Sequence, residues 1–186
     1  MYDMNIDELL TKHYIKCDEK TLLKMWSDSD RYYHNINHLK DLMSKINNDK
    51  INYKQIDYEK LIITALFHNC IYDISKNDNK DQSAKFLIDC SLYGENYHLN
   101  HIKIMILDTK DYKTDDKLSN KFINYDLSIA NQNFDRLLIW EKKIAKENSG
   151  NNYKNDRLVF LNFLINRFPN NYDNLNKLIK WVKRNY

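Results

Sequence analysis

The chain has 186 residues, enough to bury one sizeable core, and a single domain is the expectation at this length. Its 42% hydrophobic and 30% charged residues are a globular composition, and only 2 Gly and 1 Pro are present to interrupt helices. The formal charge of +3 comes from 29 basic and 26 acidic side chains scattered along the chain, which argues against the clustered cationic face of a nucleic-acid binder.

Cys17, Cys70 and Cys90 are widely spaced and form no C-x-x-C pair, so neither a disulfide framework nor a thiolate zinc site is indicated, and a reducing compartment fits best. The opening "MYDMNIDELL" carries acidic residues where a secretory signal needs a basic and then an apolar region, and no stretch approaches the ~18 apolar residues of a membrane span. The expectation is a soluble, cytoplasmic protein with no membrane partner.

Apolar residues recur at spacings of three and four through most of the chain, with almost no strict alternation, so the predicted fold is all-α. In chain order the predicted helices are Ile6 to Lys16, Glu19 to Trp26, Asn35 to Ile46, Tyr58 to Tyr72 and Lys80 to Tyr93. They continue with Leu99 to Asp108, Asp116 to Asn131, Phe134 to Glu147, Lys154 to Phe168 and Asn174 to Arg184. Asp18 and Asp57 are placed to accept hydrogen bonds from free amides at helix starts. "KENSGNNYKND", Lys146 to Asp156, reads as one long loop between helices of the same domain, and no internal repeat or linker is found.

Five of the six histidines lie in three short pieces, "RYYHNINH", "FHN" and "YHLNH". His34 and His38 are four apart and would share a helix face, a spacing that suits two metal ligands, or one ligand and a neighbour that orients it. A solvated or locally bonded pair is the commoner meaning of that spacing. His68 follows the apolar run "LIITALF" and should be buried, so it needs either a hydrogen-bond partner such as a backbone carbonyl or a metal ion.

The order "RYYHNINHLKDLM", "LIITALFHNCIYD", "DNKDQSAKFL", "IKIMILDT", "INYDLSIA", "NDRLVFLNFLINR" resembles the HD-domain superfamily, in particular its small group of metal-dependent phosphohydrolases, over about residues 31–167. The resemblance implies a single-domain helical bundle with a divalent metal (Mn, Fe, Co or Zn) held by His34, His68 and Asp126, with Asn69 in the position of the family's HD aspartate. Imidazoles and carboxylates suit such metals, which polarise a phosphoryl oxygen and lower the pKa of bound water. Asn69 offers a neutral carbonyl in place of a carboxylate, so metal affinity should fall. Lys80 stands where the pattern has Glu, beside Asn79; Tyr112 stands where it has His; and Asn124 replaces the first Asp of "DxDL". Each change removes an acid, a base or a ligand.

Arg31, His34, His38 and Lys80 would then form a cationic cavity mouth suited to phosphate, with Tyr32, Tyr33, Tyr72 and Tyr112 available to a base or sugar. On a continuing helix Asp73 would lie about a turn from Asn69 and could supply the missing carboxylate, so Asp73 and His38 are the candidate catalytic residues. The leading expectation is a protein with a degenerate metal site that binds or sequesters a nucleotide or related phosphate ligand without turnover. An active phosphohydrolase and a catalytically inert scaffold for a protein partner stay open beside it, the bound metal belongs only to a functional site, and the long apolar helices would permit a homodimer.

Overall fold

The computed structural model describes residues 5–148 and 152–186, and in these it contains ten α-helices and almost no extended structure, the expected all-α class. The chain divides into two compact units, Met1–Tyr125 and Asp126–Tyr186. The division falls at the last residue of a helix, with no Gly- or Pro-rich linker to mark it.

The first unit holds α1 (Ile6–Lys12), α2 (Glu19–Met25), α3 (Ile36–Asn48), α4 (Gln55–Phe67), α5 (Asn79–Asp89), α6 (Tyr97–Asp108) and α7 (Lys117–Asp126). α4 is its axis: every residue from Tyr58 to Phe67 is buried, because α3, α5 and α6 all pack on it. That explains why the run 61–67 is apolar nearly all round, with Thr64 its one polar residue, where a surface helix would show one apolar stripe. Asp18 caps α2 by accepting from the Thr21 amide at 2.6 Å, as predicted, whereas Asp57 lies inside the first turn of a helix that begins earlier, at Gln55.

Several helices stop short of the predicted ends, each for a visible reason. α1 ends at Lys12 because Tyr14 takes the left-handed conformation (φ 58°) and Ile15 pairs with Ser91 in an antiparallel bridge. That same bridge, with the Lys16 amide on the Cys90 carbonyl, ends α5 at Asp89. α4 ends at Phe67, not Tyr72, because the Arg31 guanidinium takes the Asn69 carbonyl at 2.6 Å and the Cys70 carbonyl at 2.8 Å, which a continuing helix would have used. α7 ends at Asp126 and tightens into a 3₁₀ turn, Leu127–Asn131.

The second unit consists of that turn, α8 (Phe134–Lys146), α9 (Tyr153–Arg167), a 3₁₀ turn at Pro169–Asn171 and α10 (Tyr172–Asn185). Its core combines Leu137, Leu161, Leu164, Leu175, Leu178 and Val182 with a buried ion pair, Glu141 to Arg157 at 2.6 Å. The predicted loop is shorter than Lys146 to Asp156, since α9 starts at Tyr153; its residues 149–151 lie outside those described. No helix among the described residues is long and apolar enough to cross a membrane.

Candidate metal centre

Three side chains converge where α3, the end of α4 and the end of α7 meet. His38 lies in the first turn of α3, His68 caps α4 and Asp126 is the last residue of α7; all are buried, and one ligand atom from each lies within 4.8 Å of the others. The His38 and His68 rings stand 5.7 Å apart. Trp26 packs at 5.3 Å from the His68 ring and Phe122, one turn before Asp126, meets it edge-on at 5.3 Å, so the group sits in apolar walls. Low polarity there strengthens attraction between a carboxylate and a cation.

His68 has its tautomer set. Nδ1 lies 2.9 Å from the Ala65 carbonyl, which can only accept, so Nδ1 carries the proton and the ring's lone pair is on Nε2. A second hydrogen bond of this kind is how metal-binding imidazoles are usually oriented. Two neutral imidazoles and one carboxylate form a donor set that fits a borderline divalent ion such as Mn, Fe, Co or Zn.

His34 does not join the three. Helix α3 begins at Ile36 with Asn35 as its cap, so His34 precedes the helix and the shared face expected of residues 34 and 38 does not form. Its half-buried ring lies 4.8 Å from the Tyr72 ring, 5.0 Å from Tyr33 and 5.8 Å from His38. His38, expected to act on ligand and proton, is the histidine placed among the potential metal donors.

Asn69 is buried directly after His68, and its Oδ1 accepts from the Lys80 ammonium at 2.7 Å. Its Nδ2 has no hydrogen-bond partner among the described residues. Arg31, expected at a cavity mouth, is instead buried and donates to the backbone carbonyls of His34, Asn69 and Cys70, clamping two turns together. Its guanidinium also lies 5.3 Å from the Tyr72 ring centroid. Tyr32 is exposed, and Tyr33 reaches His38 with ring centroids at 4.9 Å.

Asp73 does not stand on a helix with Asn69. Its carboxylate accepts from the Ser75 amide at 2.9 Å and the Ser75 hydroxyl at 2.6 Å, with Lys76 Nζ at 3.4 Å, and these contacts hold its carboxyl below the usual range. Asn79 closes that turn by accepting from the Asp73 amide and donating to its carbonyl. Tyr112 ends the turn after α6 in the left-handed region (φ 56°), a rare conformation for an aromatic residue. Asn124, two residues before Asp126, points about 200° around α7 from it.

Two features with no spacing signal in the sequence stand out. The Tyr125 hydroxyl donates to Asp49 Oδ2 at 2.5 Å and meets the Tyr53 hydroxyl at 2.6 Å, joining residues more than 70 positions apart. Burial first, then the Asp49 carboxylate and Tyr53, push the Tyr125 phenol well up, so the hydroxyl keeps its proton. At the far end of α4 from His68, a cavity of about 270 Å³ is lined by residues including Lys12, Lys50, Gln55 and Glu59.

Glu59 in that cavity accepts from Lys12 at 2.6 Å and Gln55 at 2.7 Å, and lies 2.8 Å from His13 Nε2. Burial raises its carboxyl, but these hydrogen bonds and the Lys12 charge outweigh it, leaving the group at about 2 against an ordinary 4.5. A depressed carboxyl stabilises the fold above its unfolded value and loses that contribution as pH falls. The thermal midpoint should therefore drop between pH 4.5 and about 2, and Glu59→Gln should shallow that drop. An unchanged pH profile in the variant would show that Glu59 does not carry it.

The fold and the group together define an all-α protein with a buried His-His-Asp cluster able to hold a metal ion. No known protein family, characterised protein or solved structure matches the chain.

Proposed function

We propose that this chain is an HD-type helical protein whose His38, His68 and Asp126 hold one divalent cation, and which retains a nucleotide or related phosphate ligand without turning it over. The observation that carries the reading is the Lys80 ammonium on Asn69, beside a group with a single carboxylate. A divalent ion there, less one charge for Asp126 and plus one for Lys80, leaves a strongly positive centre that favours a phosphate oxygen. His34, half-buried beside Tyr72 and Tyr33, supplies a donor and ring faces on the outer side.

Turnover needs more than charge. A bound metal would supply a polarised phosphoryl oxygen and an acidified water, but a general base must also stand within reach at a suitable pKa. Asp73, the sequence's candidate, is engaged with Ser75 and Lys76 and held at a low pKa, both unfavourable to a base. Where an acidic residue could take a proton, Asn69 and Lys80 present an amide and an ammonium.

The test is to incubate the purified protein with Mn and a panel of linear and cyclic nucleotides, separate and denature it, and identify what is released by mass spectrometry. Intact ligand near one per chain is expected. Product accumulating far beyond the protein concentration would overturn sequestration in favour of hydrolysis, the reading that the retained metal donors also permit. A companion variant, Asn69→Asp, restores a carboxylate and should tighten Mn binding by about tenfold, the worth of about 1.4 kcal/mol of added attraction. No change would mean that the amide does not face the cation.

A further inference from the structure

We infer that Tyr125 is a positioning residue for Asp126, held by Asp49 and Tyr53, and that this hydroxyl chain sets the affinity of the centre for its cation. The inference rests on the metal-binding reading above. Asp126 is the last residue of α7, where the helix passes into a 3₁₀ turn. A helix end has lost part of its hydrogen-bond ladder and frays unless something fixes it.

Two side chains of the last turn do so from different directions. Phe122, fully buried and one turn before Asp126 on the same face, packs edge-on against His68. Tyr125 projects about 100° away and reaches the residues just beyond α3, donating to Asp49 at 2.5 Å with Tyr53 at 2.6 Å. Phe122 sets how closely α7 approaches the histidines, and Tyr125 fixes its rotation and its height along the axis. Asp49 is the cap of the helix that carries His38, so one carboxylate ties the Asp126 element directly to the His38 element.

A carboxylate displaced by a fraction of an ångström loses much of its bond to a metal, and outer contacts of this kind are worth about 10–100-fold in affinity. Tyr125 acts through the backbone of its neighbour, so the lower end of that range applies. Tyr53→Phe leaves the Asp49 contact in place and should cost less.

The experiment titrates full-length protein with Co(II) alone and follows visible absorption, which reports affinity and ligand geometry together, with circular dichroism and thermal melts as folding checks. Expected are a folded Tyr125→Phe with Co(II) bound about tenfold more weakly and an altered spectrum, a similar loss in Asp49→Ala, and recovery in Asp49→Asn, whose amide oxygen still accepts. Wild-type affinity and spectrum in Tyr125→Phe, at temperatures well below its melt, would overturn the positioning role while leaving the centre intact. If Tyr125→Phe does not fold, wild-type affinity and spectrum in Asp49→Ala would overturn that role equally. Failure of the wild-type chain to bind Co(II) at all would instead overturn the metal-binding reading, and this inference with it.

Discussion

His68→Gln is expected to reduce affinity for Co(II) or Zn(II) by more than about 100-fold, beyond the range found for outer contacts, because it removes one of three donors. The tautomer fixed by Ala65 directs Nε2, and a glutamine amide at that place offers a neutral and much weaker donor. The burial of His68 at 0% exposure means the variant also risks destabilisation, so equilibrium dialysis should be paired with circular dichroism. His38→Gln should fall by a comparable factor. His34→Gln should change affinity by less than about threefold, since His34 stands before α3 and outside the three-residue group. The reverse order, with His34 essential and His38 dispensable, would restore the ligand set implied by the sequence resemblance and reject the one the geometry favours.

The contrast between those two histidines shows what a sequence carries and what it withholds. The helices themselves were legible: apolar spacing placed α2, α3, α6, α8, α9 and α10 to within about two residues of their ends, and the starts of α2, α3, α6 and α8 are set by local side-chain caps, Asp18, Asn35, Asn96 and Asn133. Boundaries set by distant partners were not. The Arg31 clamp on Asn69 and Cys70 halts α4 from 38 residues away, and the Ile15–Ser91 bridge trims two helices at once. Those unseen stops decide the site. A helix running on to Tyr72 would have carried Asp73 near Asn69, whereas His34 stays outside α3 because a local signal, the Asn35 cap, starts that helix after it. His68 and Asp126 were legible because an apolar run and a motif marked them, and the link from Asn69 to Lys80 was legible only as two unexpected residues, without the hydrogen bond that joins them.

The largest stability effect should come from the second unit, where Glu141 is fully buried and Arg157 nearly so. Glu141 receives Arg157 Nε at 2.6 Å and the Tyr153 hydroxyl at 2.6 Å, while the guanidinium stacks 4.2 Å from the Trp140 ring centroid. Taking two charges out of water costs nearly as much as their attraction returns, so the pair contributes little net stability while intact. Removing one member is different, because the other is left charged and unmatched in an apolar core. Arg157→Met should therefore destabilise the chain by about 3–5 kcal/mol, read from urea unfolding with hydrogen exchange over residues 153–186 to locate the loss. Replacing all three polar groups together, as Glu141→Leu, Arg157→Met and Tyr153→Phe, should recover most of that loss, since no orphaned charge or hydroxyl then remains. A single variant that loses under about 1 kcal/mol would mean that water reaches the pair. A triple variant no better than the single one would assign the cost instead to the lost stacking on Trp140 and Phe160, whose ring centroids lie 4.2 and 5.1 Å from the guanidinium carbon.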